Sequence, residues 1–225
     1  MQQHFISDKF LTTIDGFSAT GKDLLAKNLS ENETFPEKPF ILNTGDFARA
    51  VAQIARHKNI QPDHPDYNAL IIHELKNIDF HAIDRSELYS TENGMGASKF
   101  SKIPDFEEIV GIRIAETLQA VPSSCCILLG RFGGHRFNAQ VKLYLKASDE
   151  VCADRRAREL ADKGEDYQTA YDKLLQRIKD DLANNSNVLF PAEDAMTIVT
   201  EKLPEEVCEE ALVYIKPALS KWVIG

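Results

Sequence analysis

Apolar and polar positions follow two rhythms along this chain. Three short apolar runs, FLTTID (10–15), CCILLG (125–130) and QVKLYLKAS (140–148), have the length of buried strands, and AMTIVT (195–200) is a weaker fourth. Between them the spacing becomes helical. Leu24, Leu25 and Leu29 recur at helical spacing from Lys22 to Ser30. Phe47, Val51 and Ile54 fall at i, i+4 and i+7 between Asp46 and His57, with Arg49 off that stripe. A third helix is predicted to start near Ser148, a good N-cap residue, with Asp149 and Glu150 in its first turn. Further helices are predicted from about Asp166 to Leu182 and from Pro204 through EEVCEEALVYI. Strands alternating with helices predict an α/β fold, a parallel sheet flanked by helices on both faces.

One stretch breaks the alternation. Residues 59–102 are polar, carry Pro62 and Pro65, and contain STENGMGASKF. They read as a small insertion over a ligand cleft, or alternatively as a flexible surface excursion. The remaining residues, about 8–58 and 103–225, form the core of one expected domain of 225 residues.

Charge narrows the partners. A formal net charge of -9 disfavours a nucleic acid polymer, which needs clustered Lys and Arg. It leaves room for a small phosphorylated ligand in a locally basic cleft. No apolar run reaches the roughly 18–20 residues that span a bilayer. MQQHFISDKF has no basic segment followed by an apolar core. A cytoplasmic protein without membrane contact is the expectation. Cys125, Cys126, Cys152 and Cys208 have neither zinc-finger nor redox-pair spacing and read as small hydrophobes. The histidines form no His-x-x-x-His pair, so no metal site built by the protein alone is expected.

The chemistry concentrates in DGFSATGKDLLAK (15–27). Gly16 is followed by four residues, then Gly21 and Lys22, directly after a strand and before an amphipathic helix. Glycines let a loop turn its amides inward around a phosphate, and the helix adds its positive end. Gly16, Ser18, Ala19, Thr20, Gly21, Lys22 and Asp23 are the candidate phosphate-binding set, with Lys22 reaching the outer phosphates. Asp23 stands where such loops carry Ser or Thr. It reads either as a carboxylate for magnesium or as a helix-start residue that repels phosphate.

From end to end these segments resemble the cytidylate kinases, a branch of the P-loop nucleoside monophosphate kinases. TIDGFSATGKDLLAKNL is similar to the family's TIDGPSGSGKGTLAK, and LNTGDFARAVA to LDTGAMYRAVA. STENGMGASKFSKIPDFEEI is similar to RTEEVGNAASKVAAIPEVR, GRFGG to GRDMGT, and PAEDAMTI to PAEDALVI. The resemblance also takes in KLYLKASDEVCADRRARELADKGED, which matches the family's strand, helix and start of a lid. It implies a P-loop NTPase core with an acceptor-binding insertion (59–102) and a shortened lid (159–190). It implies transfer of the γ-phosphoryl of ATP, with Mg2+, to CMP, dCMP or a related small phosphorylated acceptor. By position, Lys22 and Arg131 are implied to be catalytic, Arg155 and Arg156 to cover ATP, and Thr44, Arg49 and Ser98 to bind the acceptor. Arg113 is a candidate substitute for an acceptor-side arginine, whose position holds Glu107.

The chain departs from the pattern at named positions. Acidic residues of the family are replaced by Asn43, Leu129 and Phe132. The family's lid motif RDxxDxxRxxAPL corresponds to IKDDLANNSNVLFPAEDA, which has no arginine and is shorter. Lys179 is its one cation, with Arg177 just before it. Besides the kinase, two readings remain open at this level: a degenerate nucleotide-binding protein acting through a protein partner, and a ligand-free scaffold.

Overall fold

A computed structural model describes residues 4–80, 83, 85–100, 102–162, 164–183 and 190–224. Strands β1 (Phe10–Gly16), β2 (Phe40–Asn43), β3 (Cys125–Gly130), β4 (Val141–Lys146) and β5 (Met196–Val199) form one sheet in the order β2-β3-β1-β4-β5. β1 pairs in parallel with β3 and β4, and β4 with β5. Parallel strands need crossovers, and the intervening helices supply them. The α/β reading holds, with one correction. Sequence periodicity misses β2, because four residues between Pro39 and Thr44 are too few to display alternation.

The chain divides into two compact units, Met1–Ile41 with Pro122–Gly225, and Leu42–Val121. In the first, α1 (Lys22–Ser30) and α10 (Pro204–Ile224) share a core with the sheet. Phe10 and Ile14 of β1 join Cys125, Ile127, Leu129, Leu143 and Leu145 in it. Strand alternation then turns Asp15 to the opposite face, where it meets the short helix α7 (Gly133–Arg136). Leu25, Ala26 and Leu29 carry the buried side of α1, whereas Leu24 is 47% exposed. Leu24 therefore does not belong to the predicted apolar stripe, since it lies about 100° round the helix from Leu25.

Helices α8 (Asp149–Ala161) and α9 (Tyr167–Ala183) pack through Cys152, Ala153, Leu174 and Ile178, with Ala19 of the glycine loop against them. Ser148 occupies the N-cap of α8 but makes no side-chain cap bond. Its N–H donates instead to Glu201 Oε1 at 2.6 Å. α10 runs past the predicted EEVCEEALVYI segment to Ile224, with Pro217 inside it. All four cysteines are free and buried, and burial pushes the Cys126 thiol up to about 11. Of the segment 159–190, residues 163 and 184–189 and the side chains of 177 and 180–183 lie outside the described residues.

The second unit is helical: α2 (Gly45–His57), α3 (Tyr67–Asn77), α4 (Arg85–Leu88), α5 (Thr91–Phe100) and α6 (Phe106–Ala120). Phe47 stacks on Phe80 with centroids 4.5 Å apart, and Phe100 meets Phe106 at 5.2 Å. Apolar rhythm predicts no element in 59–102, yet three helices form there. Their buried positions, such as Ile71, Leu75, Leu88 and Phe100, are too sparse to register as a stripe. Among the described residues no helix is long and apolar enough to cross a membrane.

Candidate functional site

At the end of β1 the chain turns sharply into α1. Gly16 has φ 149° and Gly21 φ 94°, and Ala19 between them also has a positive φ of 62°. A Cβ on Gly16 would lie 2.5 Å from the carbonyl oxygen of Leu145 on β4, so the sheet itself excludes a side chain there. The buried Thr20 donates its hydroxyl to the Phe17 carbonyl at 2.9 Å. Lys22 Nζ donates to the carbonyls of Gly16 at 2.9 Å and Phe17 at 2.5 Å. The loop thus curls round its own ammonium, beside the amides that begin α1.

Two cations share this place. Burial, and next the nearby Arg131 guanidinium, lower the Lys22 ammonium from 10.5 to about 8, with Asp23 and then Asp15 opposing. Like charges are held near each other only at a cost that an anion between them relieves. In a chain of net charge -9 this is a local reversal of sign.

Asp15 organises the site and is absent from the residues the sequence nominated. Its Oδ1 accepts the Gly133 N–H at 3.0 Å and its Oδ2 the Gly134 N–H at 2.6 Å. Burial raises its pKa, while the two amides, then Lys22 and His135, act in the opposite direction. The carboxylate ties the last residue before Gly16 to the segment that follows Arg131. A signal was present in the sequence: a carboxylate closing an otherwise apolar strand.

The chemistry of the donor set decides what a metal could use. Asp15 is engaged by amides, and Asp23 is exposed on the first turn of α1. Among the described residues no three His, Cys, Asp or Glu side chains cluster. The exposed Asp23 carboxylate at the start of α1 fits Mg2+, which keeps several waters and takes one or two carboxylates plus substrate phosphates.

A strand, a glycine loop closed on a lysine and a following helix place the chain among phosphate-binding α/β proteins, and comparison narrows this. The family model "Cytidylate kinase" matches residues 12–217. The chain belongs to that family. It is 32% identical over 229 residues to a cytidylate kinase of Vibrio vulnificus, covering 94% of this chain and 97% of the relative. It is 30% identical to one of Bartonella henselae over 221 residues, covering 96% and 99%. It is 31% identical to one of Brucella suis over 206 residues, covering 90% of each.

Against that family the other nominated residues fall into two groups. In the first unit, Arg155 donates to Thr200 Oγ1 at 3.0 Å and to the Thr200 carbonyl at 2.5 Å, which fastens α8 to the end of β5. Arg156 pairs with Glu159 at 2.7 Å on the same helix. In the second unit, Thr44 is buried at the start of α2, and the exposed Ser98 donates to the Met95 carbonyl at 2.8 Å. Arg113 donates to the Ile78 carbonyl at 2.7 Å, at the end of α3, and pairs with Glu116. The Arg49 guanidinium lies over the Tyr89 ring, 5.3 Å from its centroid, and no carboxylate pairs with it among the described residues.

The positions that depart from the family pattern have structural surroundings of their own. Asn43 Oδ1 accepts the Gly45 N–H at 3.0 Å, an Asx turn leading into α2, whose N-cap is Thr44. Leu129 is part of the sheet core. The Phe132 ring sits under the Arg136 guanidinium, 5.3 Å away. Glu107 lies in the first turn of α6, where negative charge suits the helix dipole.

Proposed function

We propose that this cytidylate kinase family member transfers the γ-phosphoryl group of ATP to CMP or dCMP. The observation that carries the reading is the loop Gly16–Lys22, with its positive-φ glycines and a lysine that donates to the loop's own carbonyls near a second cation, Arg131. Phosphoryl transfer asks the protein for positioning and charge neutralisation rather than covalent chemistry. Lys22 leaves the Gly16 and Phe17 carbonyls to hold the outer phosphates of ATP, and the loop amides hold the inner ones. Arg131, whose charge acts on Lys22, neutralises charge on the group in transit in this reading. Magnesium on the triphosphate supplies further neutralisation, and Asp23 is the carboxylate that would hold it. Arg49 takes the acceptor phosphate in a charge-assisted contact, while Thr44, Ser98 and Arg113 border the acceptor. A binder that does not turn over is not favoured, because family similarity runs through both units and the loop retains its lysine and glycines.

A coupled assay for ADP formation with CMP, dCMP, UMP and AMP as acceptors tests the reading. Turnover strongest with CMP or dCMP is the expected result; none with any acceptor at millimolar ATP overturns it. Asp23→Ser tests the metal role by calorimetry. The gain in ATP affinity on adding Mg2+ is expected to fall about tenfold, the scale on which losing one supporting ligand acts. Tighter ATP binding in the variant would show that the carboxylate only repels.

A further inference from the structure

The second unit contains an arrangement around Arg49 that the family pattern does not contain. In the stretch LDTGAMYRAVA, Ala and Tyr stand where this chain has Asp46 and Ala48. This chain therefore has a carboxylate three residues before Arg49 and no aromatic next to it in sequence. Acidic and basic side chains three apart on a helix are neighbours and pair readily. Such a pair would cancel the charge that an acceptor phosphate needs.

The structure shows a different outcome. Tyr89, from the link between α4 and α5, donates its hydroxyl to Asp46 Oδ1 at 2.8 Å. The same ring carries the Arg49 guanidinium on its face. Asp46 is 4% exposed, whereas Tyr89 is 62% exposed, so a buried carboxylate orients an exposed tyrosine. The guanidinium also lies beside α5, so close that a Cβ on Gly94 would come within 3.2 Å of Nη1. Arg49 is thereby held by a ring and a backbone, neither of which neutralises it.

We propose that Tyr89 is a positioning residue for the acceptor: it occupies the Asp46 carboxylate and supports the Arg49 guanidinium, which keeps that cation available to the phosphate of an incoming nucleoside monophosphate. The inference rests on the acceptor role of Arg49 given above. Tyr89 brings an aromatic face to Arg49 from the link between α4 and α5, and it separates the Asp46 charge from that guanidinium.

The test is a cycle of Tyr89→Phe, Asp46→Asn and the double variant, read as separate KM values for CMP and ATP. Tyr89→Phe keeps the ring but removes the hydrogen bond that Asp46 Oδ1 accepts, which favours pairing of that carboxylate with Arg49. It is expected to raise the CMP KM about fivefold, the size of one partly exposed ion pair, with the ATP KM unchanged. Asp46→Asn alone is expected to change little. Added to Tyr89→Phe, it is expected to return the CMP KM most of the way to wild type, because an amide has no charge to cancel. A purely structural role predicts no such recovery. An unchanged CMP KM, equal rises in both KM values, or no recovery in the double variant overturns the inference while leaving the kinase reading intact. If the wild-type chain lacks turnover, the same cycle is read in CMP affinity by calorimetry, where the same pattern supports the inference and its absence overturns it.

Discussion

Lys22→Ala is expected to lower kcat/KM for ATP about 10^3-fold while leaving the fold in place, because one preorganised positive group on a transferring phosphoryl contributes on that order. In the structure Lys22 is bonded to two carbonyls of its own loop and is not part of the apolar core. Its removal therefore costs the loop two local contacts. A thermal melt close to wild type, with activity nearly lost, is the expected combination. Lys22→Arg is expected to recover little, since a planar fork does not fit the pair of carbonyls that a compact ammonium satisfies. The pH profile supplies an independent check. Only the protonated amine neutralises phosphate, and burial with Arg131 lowers its pKa from 10.5 to about 8. In the free enzyme, kcat/KM for ATP should then fall as pH rises through about 8, rather than near 10.5. Asp23→Asn removes a charge that holds this pKa up, so the alkaline limb should move to lower pH. A limb that stays put in that variant, or a profile flat to pH 10, would refute this account of Lys22.

Much of this was legible in the sequence, for reasons that can be stated residue by residue. β1, β3 and β4 are buried along almost their whole length because both faces are covered, and Gly16-x4-Gly21-Lys22 starts at the end of the first of them. The helix start at Lys22 and the lysine chemistry follow from that spacing alone. What could not be read depends on contacts between residues far apart in the chain. Asp15 meets Gly133 and Gly134, and Asp46 meets Tyr89 across 43 positions. Arginines are the hardest to read, because matching a family position does not show what the guanidinium touches. Arg155 holds Thr200, Arg113 holds the Ile78 carbonyl, and Arg49 holds only a ring among the described residues. Three residues of the same type thus have different charge available for a ligand.

Asp15→Asn is expected to show the second large effect, on stability and turnover together. The carboxylate accepts two buried amide N–H groups with two oxygens. Asparagine offers one oxygen and turns an N–H2 toward the other amide, leaving a buried donor without a partner, at about 1–3 kcal/mol. Gly133 and Gly134 then separate from the end of β1, and Arg131, two residues before Gly133, moves relative to Lys22. A displacement of about 1 Å at a reacting centre lowers rate by about 10^2-fold, so kcat should fall by that order beyond any change in ATP KM. The stability difference should also depend on pH, with a definite sign. Burial raises the folded pKa of Asp15 above its ordinary 3.8. A raised carboxyl pKa means that the folded state holds the proton more tightly. The stabilisation from Asp15 is then complete below 3.8 and declines as pH rises through the folded value. The gap in unfolding free energy between wild type and Asp15→Asn should accordingly be widest at the acid end and narrow toward neutrality. Urea melts of both proteins from below pH 3.8 to neutrality measure it. A gap that widens with pH would mean that the ionised carboxylate gains more from its amides and from Lys22 than burial removes, and would reverse the reading of this clamp.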